Sequence, residues 1–214
     1  MAEPDPVVAV LAADTHLDLP GGAWLNRKIR GDSAYAFEQL VELAILHRVP
    51  LVVAGDLLEV ARPHSATVEF FHRQMRLCQD AGVKFYFIQG QHELSSPPWF
   101  SSHAWPVHID GKVVDVGGVK LYGLDCRRTE EFDEAVARIP EGVDWLVAHQ
   151  VWNEVLAVGA LTHKASFAQL PAHITRVFTG DYHQHYAHTD SDQVHRRPPR
   201  RRVGANGFGR GCRP

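Results

Sequence analysis

Five short, continuous apolar runs constrain the fold of this chain more than any other feature of its sequence. They lie at residues 7–14, 50–56, 84–90, 144–150 and 175–181. Runs without polar alternation are typical of strands that are covered on both faces. Apolar residues recur at helical spacing from Phe37 to Ile45 and again from Val68 to Cys78, between the first three runs. This order of strands and helices predicts an α/β protein.

Local signals predict where some of these elements end. Ser65 is placed to cap the second helix, and Gly82 is placed to stop it. The segment 112–125 reads as a hairpin that turns at Gly117 and Gly118. Part of the sheet system is therefore expected to be antiparallel.

Composition excludes several classes of protein. Cys78, Cys126 and Cys212 are dispersed and show no C-x-x-C spacing, so neither a disulfide framework nor a thiolate zinc site is predicted. The first residues are acidic where a signal peptide is basic, and no apolar run is long enough to span a bilayer. We expect a cytoplasmic protein with no membrane partner.

Charge divides the chain into two parts. Residues 1–189 carry 15 lysines and arginines against 23 acidic residues, whereas residues 190–214 carry seven arginines against two aspartates. The body, 1–189, is long enough to bury one domain core. The tail, 190–214, is rich in Arg, Pro and Gly and is expected to be disordered. It reads as a basic arm for nucleic acid, as a solubilising end or, favoured by its all-arginine character, as the product of a shifted reading frame.

Polar residues with metal-binding groups follow each of the five apolar runs. These are Asp14 and His16, Asp56, Gln91 with His92 and Glu93, His149, and Asp181 with His183. Ligands of open α/β sheets bind at the carboxyl ends of the strands, so these loops are expected to meet in one cleft. Carboxylate, imidazole and amide groups without thiolate favour Mn, Fe, Zn or Mg. Seven such groups are enough for two divalent ions that share a carboxylate.

The order of these residues resembles the pattern of the calcineurin-like metallophosphoesterases. That pattern runs D-x-H, G-D, G-N-H-[DE], a lone H and G-H-x-H, and here it stands as "DTH" at 14–16, "GD" at 55–56, "GQHE" at 90–93, His149 and "GDYH" at 180–183. The resemblance covers about residues 7–186. It implies a four-layer αββα sandwich of mixed sheets with a dimetal site at the carboxyl ends of the strands.

The same resemblance implies roles for individual residues. One ion would take Asp14, His16 and His183; the other would take Gln91, His149 and Asp181; Asp56 would bridge them. His92 would act on the transition state or protonate the leaving oxygen, and Glu93 would orient a neighbour. Alternatively, Asp14 and Asp56 cap helices, His149 is a core histidine, His92 is an ordinary loop residue and Asp181 forms a turn.

Two positions depart from the family pattern. Gln91 stands where the family has Asn, and Asp181 stands where it has the first His of G-H-x-H. A carboxylate in place of an imidazole favours a harder ion, so Mn is the preferred metal. In a competing register His183 and His185 form the pair, but Gly180 ends the strand and favours Asp181 and His183.

Within the family, the chain is most similar to the nuclease subunits of SbcD-type complexes, which process DNA breaks, and to their shorter phage versions. The similarity lies in residues 52–75, 87–99 and 146–154. It implies a DNA exonuclease or endonuclease of the cytoplasm, or of the host cytoplasm for a phage protein, with an SbcC-like ATPase partner and a homodimer as candidate assemblies. Aromatic residues at 97–105 either stack on bases or anchor a loop on the core.

Two other functions stay open at this point. The same scaffold serves phosphomonoesterases and cyclic-nucleotide phosphodiesterases, and the acidic body does not suggest a DNA groove. The chain would instead be an inactive, truncated nuclease-like protein if the residues after the last His motif are missing.

Overall fold

The computed structural model describes residues 6–18, 32–101, 103–155, 164–183, 187–189 and 202–204. These residues form a mixed α/β structure with two main sheets. The helices are α1 (Asp32–His47), α2 (Ser65–Asp80) and α3 (Thr129–Val136), with a short 3-10 helix at Phe167–Gln169. The α/β prediction is confirmed, and α1 and α2 contain the two predicted apolar stripes.

The first sheet is entirely parallel. Its strands are β1 (Val10–Ala12), β2 (Leu51–Ala54), β3 (Phe85–Ile88) and β4 (Pro106–His108), and they lie in the order β1-β2-β3-β4. The helices α1 and α2 connect β1 to β2 and β2 to β3, as crossovers between parallel strands require. All four strands therefore end at the same edge.

The second sheet is mixed. Its strands are β5 (Val113–Val116), β6 (Val119–Leu124), β7 (Trp145–His149), β10 (Arg176–Gly180), β11 (Ala187–Thr189) and β12 (Arg202–Gly204), in the order β11-β12-β10-β7-β6-β5. The strands β6, β7 and β10 run parallel, so His149 and Gly180 pair at the carboxyl edge. A separate parallel pair joins β8 (Val151–Trp152) to β9 (Lys164–Ala165).

Three clusters of buried apolar side chains hold these elements together. Residues of α1 and α2, including Phe37 and Phe71, pack with side chains of the first sheet. A second cluster joins the two sheets through residues such as Val52 and Val147. The third joins the second sheet to α3, where Phe132 is fully buried. Burial on both faces explains why the main strands read as continuous apolar runs.

The local predictions have mixed outcomes. The hairpin is confirmed: β5 and β6 are antiparallel, and Gly117 and Gly118 both have positive φ, at 65° and 87°. The helix α2 ends at Asp80, and Gly82 follows at a φ of 70°. The prediction that Ser65 caps α2 is wrong. Ser65 is the first helical residue, and the cap is His64, which makes no side-chain cap bond.

The tail is described at Arg202–Gly204 alone. These three residues form β12, which lies between β10 and β11. The other residues of 190–214 lie outside the described residues. The predicted disorder of the tail, and its interpretation as a basic arm, a solubilising end or a frame-shifted product, concern these residues.

None of the described helices has both the length and the hydropathy needed to cross a membrane.

Candidate metal centre

The backbone is strained where the predicted ligands lie. Five non-glycine residues of the described chain have positive φ, and four of them are predicted ligands: Asp14 at 54°, His16 at 44°, Asp56 at 46° and Asp181 at 83°. This region costs energy for residues other than glycine and is often found at functional sites. Four of the predicted ligands therefore share a backbone conformation that is found at functional sites.

Close approach of the loops depends on three glycines. A Cβ on Gly55 or Gly180 would lie 2.3 or 2.5 Å from Nδ1 of His149, and a Cβ on Gly90 would lie 2.0 Å from Oδ1 of Asp56. Any larger residue would displace a candidate ligand. The glycines of the G-D, G-Q-H-E and G-D-Y-H motifs therefore make room for His149 and Asp56.

Asp56 is the centre of the cluster. Its carboxylate is completely buried, and Oδ2 lies 3.4 Å from Nε2 of His149, 3.8 Å from Nε2 of His92 and 3.9 Å from Nε2 of His16. Oδ2 makes no hydrogen bond, whereas Oδ1 accepts one of 3.0 Å from the backbone N–H of His92. Three imidazole nitrogens thus surround one unsatisfied carboxylate oxygen.

Two of these histidines are oriented by backbone carbonyl groups that contact Nδ1. Nδ1 of His149 lies 2.7 Å from the carbonyl oxygen of Ala54, and Nδ1 of His92 lies 2.8 Å from that of Glu59. A carbonyl accepts a hydrogen bond, so each Nδ1 carries a proton and donates it. Metal-binding histidines are commonly oriented in this way, and here it leaves Nε2 of both rings on the side of Asp56.

Asp14, His16 and His183 form a group that could hold a metal ion. Nε2 of His16 and Nε2 of His183 are 3.2 Å apart, and Nε2 of His183 lies 3.5 Å from Oδ1 of Asp14. Metal–ligand bonds of about 2.1 Å place neighbouring ligand atoms about 3 to 3.5 Å apart. The spacing fits a single ion, and these are the three residues predicted to share one.

Asp14, Asp56 and His149 form a second such group. His149 is fully buried; burial lowers its pKa, but the adjacent carboxylate of Asp56 outweighs this and raises the pKa to about 10. Burial raises the pKa of Asp56, but His149 and the His92 backbone bond bring it below its usual range. Each group therefore favours the charged form of the other, although Nε2 and Oδ2 lie 3.4 Å apart and form no well-aligned hydrogen bond.

Gln91 and Asp181 lie together beside these groups. Nε2 of Gln91 donates a 2.8 Å hydrogen bond to Oδ1 of Asp181, and Oε1 of Gln91 is buried without a partner. The backbone N–H of Asp181 donates a 2.8 Å bond to Oδ1 of Asp14. Both residues therefore reach the centre, but neither is a member of the metal-capable groups found among the described residues. His185, the alternative ligand, lies outside the described residues.

Glu93 supports the loops instead of contacting a histidine. Oε1 accepts backbone hydrogen bonds from Leu57 and Gly90, at 3.2 and 2.9 Å, and Oε2 accepts one of 3.1 Å from Leu58. Burial, with the negative charge of Asp56, raises the pKa of Glu93 to about 7. The carboxylate joins the loop after β2 to the loop after β3, and so fixes Asp56 relative to His92.

Glu59 is a site residue that the sequence reasoning missed. It forms a third metal-capable group with His16 and His92, and its Oε2 lies 2.9 Å from Nδ1 of His16. The one sequence feature that could have indicated a role for Glu59 is its position three residues after Asp56, in the loop that follows β2. An acidic residue in a loop is ordinary, so that signal is weak.

The donor set fits a hard or borderline divalent metal. Oδ2 of Asp56, Nε2 of His149 and Oε1 of Gln91 are buried without hydrogen-bond partners, a state that is costly unless a cation or water satisfies them. Burial, with nearby aspartates, raises the pKa of the Cys126 thiol to about 12, so this neighbouring thiol supplies no thiolate. The groups that could bind a metal are therefore carboxylate and amide oxygens and imidazole nitrogens, which is the donor set predicted from the sequence.

The aromatic segment 97–105 divides between the core and the surface. Phe100 is buried and stacks on Phe71 with ring centroids 3.7 Å apart, and Nε1 of Trp105 donates a 2.8 Å bond to the carbonyl oxygen of Val83. Trp99 is 41% exposed, and its Nε1 donates to the carbonyl oxygen of Ala61 in the loop after β2. Two of the three rings anchor the loop, and Trp99 faces solvent.

Comparison with known proteins gives no assignment: no protein-family model matches the chain, and no curated protein matches it significantly in sequence.

Proposed function

We propose that this protein is a phosphoesterase that uses two divalent metal ions, with Mn preferred. One observation carries the proposal: the buried, unsatisfied Oδ2 of Asp56 faces Nε2 atoms of His16, His92 and His149 within 3.9 Å. A carboxylate with histidines on several sides suits a bridging ligand. The positions also follow the order of the calcineurin-like metallophosphoesterase pattern.

Each residue would have a distinct task. Asp14, His16 and His183 would hold one ion; His149, with Gln91 and Asp181 beside it, would hold the other; Asp56 would reach both. Bound in this way, two divalent ions lower the pKa of a coordinated water and offset the charge that grows on phosphorus. His92, whose side chain is 32% exposed, would present Nε2 to the leaving oxygen and donate a proton there.

The layering of the core supports the four-layer αββα sandwich that the resemblance implies. Apolar clusters lie between α1, α2 and the first sheet, between the two sheets, and between the second sheet and α3. In such a sandwich, β2 and β7 would face each other at the centre. That arrangement would bring Asp56 and His149 together from different sheets.

The surroundings of the centre favour a polymeric diester, and we propose DNA as the substrate. The side chain of His183 is 61% exposed, so a large substrate can approach. Val60, Leu94 and Trp99 belong to the loops after β2 and β3 and are all exposed. Exposed apolar and aromatic groups beside a phosphate-binding centre suit unstacked bases. A cytoplasmic break-processing role, with an SbcC-like ATPase or a second copy as partner, belongs to the same proposal.

The proposal is tested with purified protein, Mn²⁺ and three substrates side by side: closed circular plasmid, linear duplex and a small aryl phosphate. Cleavage of linear duplex above the rate with EDTA supports the nuclease. Turnover of the aryl phosphate alone supports a phosphomonoesterase of the same fold. Elemental analysis that finds no bound metal after Mn²⁺ loading would show that the chain is not a metalloenzyme.

A further inference from the structure

Glu59 contacts two of the histidines that surround Asp56. Its carboxylate oxygen Oε2 lies 2.9 Å from Nδ1 of His16, and its backbone carbonyl lies 2.8 Å from Nδ1 of His92. Its own N–H donates a 3.3 Å bond to the carbonyl oxygen of Leu17. One residue therefore joins the loops that follow β1, β2 and β3.

We propose that Glu59 is a positioning residue that holds His16 in the tautomer with its proton on Nδ1, so that Nε2 is free to bind metal. The inference rests on the proposed function. Nδ1 of His16 is buried and makes no well-aligned hydrogen bond, and Oε2 of Glu59 lies only 2.9 Å from it, so the carboxylate is placed to attract a proton on this nitrogen. Nε2 of the same ring points the opposite way, toward His183 and Asp56.

The contacts favour a positioning role for Glu59 over that of a third metal ligand. An ion on Oε2 of Glu59 and Nδ1 of His16 would require His16 to bind cations through both ring nitrogens, which demands a fully deprotonated imidazole. Nδ1 of His92 already donates to the Glu59 carbonyl and cannot turn to such an ion. A carboxylate behind a metal-binding histidine is instead a common arrangement.

The consequence is that Glu59 raises metal affinity without touching metal or substrate. Groups that orient a metal-binding histidine are worth about 10- to 100-fold in metal affinity. The Glu59→Gln change keeps an oxygen that can accept from Nδ1 but removes the charge, so it should retain most of the affinity. The Glu59→Ala change removes the acceptor and should show the full loss.

The experiment measures Mn²⁺ binding by calorimetry for the full chain, for E59A and E59Q, and for E42A as a matched control. Glu42 is an exposed glutamate on α1. We expect E59A to lose about 10- to 100-fold in affinity for one ion, E59Q to lose less, and E42A to lose nothing. Long-range ¹H–¹⁵N spectra of the metal-free protein should show His16 protonated on Nδ1, and E59A should lose that preference.

Two results would overturn the inference in distinguishable ways. If E59A binds two Mn²⁺ ions as tightly as the unaltered protein, Glu59 does not position His16, and a lower melting temperature of E59A in EDTA would then mark it as structural. If the unaltered protein binds no Mn²⁺, the proposed phosphoesterase is wrong, and the role of Glu59 is lost with it.

Discussion

Two clusters of aspartate and histidine lie at the carboxyl ends of strands, and they differ in how their polar atoms are satisfied. The first is the candidate metal centre around Asp56. The second, which we call the Asp125 network, consists of Gln89, His108, Asp110, Asp125 and Arg127. Both oxygens of Asp125 are within 2.9 Å of Nε2 of His108, and both also accept from Gln89, at 2.7 and 3.3 Å. In the candidate metal centre, Oδ2 of Asp56 has no hydrogen-bond partner.

This difference is the one expected between a structural cluster and a cluster that could bind a cation. Arg127 donates a 2.6 Å bond to Asp110, and Asp110 accepts the N–H of Asp125, so the Asp125 network supplies its own cation. Burial raises the pKa of Asp110, but the bonds to Arg127 and to the Asp125 N–H bring it below its usual range. Among the described residues, the cationic groups that contact Asp56 are histidines and include no arginine or lysine. Both clusters have the residue types of a metal site, so the unsatisfied polar atoms are what favour a cation site at Asp56.

The largest effect should come from Asp56→Asn. Asn tolerates the positive φ of this position, so the change removes the charge without new backbone strain. Loss of the bridging carboxylate should weaken binding of both ions and cost several kcal/mol in the transition state, or about 1,000-fold in kcat/KM. Calorimetry with Mn²⁺ and rates of DNA cleavage measure both effects.

Asp125→Asn is the matched control for Asp56→Asn. It leaves the amide nitrogen of Asn facing a donor, and should cost about 1–3 kcal/mol of unfolding free energy while Mn²⁺ binding persists. A folded D56N protein with normal Mn²⁺ affinity, or a D125N protein that loses it, would remove the distinction between the two clusters.

The next effect concerns pH. The pKa of His149 is raised to about 10 in the metal-free protein, and a histidine binds metal in its neutral form. Mn²⁺ must therefore displace this proton, and its affinity should rise about tenfold per pH unit, or about 100-fold from pH 6.5 to 8.5.

Stability should change in the opposite sense without metal. Because the pKa of folded His149 is above its ordinary value of 6.5, the stabilisation from its pair with Asp56 is complete below about pH 6.5 and is lost as pH rises toward 10. Melting curves with EDTA and with Mn²⁺ at pH 6.5 and 8.5 test this. An Mn²⁺-induced shift that is the same at both pH values would contradict it.

Much of the fold was predictable because its signals are local. Continuous apolar runs predict β2, β3, β7 and β10, and the helical stripes predict α1 and α2. The three-residue strand β1 lies within the apolar run 7–14 and was predicted, whereas β4 (Pro106–His108) lies in no such run and α3 (Thr129–Val136) has only eight residues, so both were missed. A short element outside a continuous apolar run carries little periodicity.

The site was predictable only in part. Strand-end position predicts that Asp14, Asp56 and His149 converge, because parallel strands share one edge. The same strand-end argument would also select Asp125, which follows β6 directly but forms an ion pair with His108. Which atoms remain unsatisfied depends on contacts between distant segments, such as Glu59 with His16 or Glu93 with Leu57. Those contacts leave no pattern in the sequence.

Glu93 lies beside Asp56 in the candidate metal centre, but both of its carboxylate oxygens accept hydrogen bonds, as those of Asp125 do. It therefore tests whether hydrogen bonding of the carboxylate, and not its location, marks a structural residue. Three backbone N–H groups bind its carboxylate. In Glu93→Gln, the amide oxygen can serve Leu57 and Gly90, but the amide nitrogen then opposes the N–H of Leu58. We expect a loss of about 1–3 kcal/mol in unfolding free energy, measured with denaturant in EDTA. An unchanged free energy of unfolding would show that the three bonds contribute nothing.

The smallest effect should come from Gln91→Asn, which tests whether the extra methylene matters. Nε2 of Gln91 bonds Asp181 at 2.8 Å, and its buried Oε1 is free to bind a cation. Asn would withdraw the amide from Asp181, so one hydrogen bond of about 1 kcal/mol is lost and Mn²⁺ affinity should fall by less than tenfold. Gln91→Ala removes both groups and should cost more. Equal affinities for the Asn variant, the Ala variant and the unaltered protein, measured by calorimetry, would place Gln91 with the satisfied residues of the Asp125 network and exclude it as a ligand.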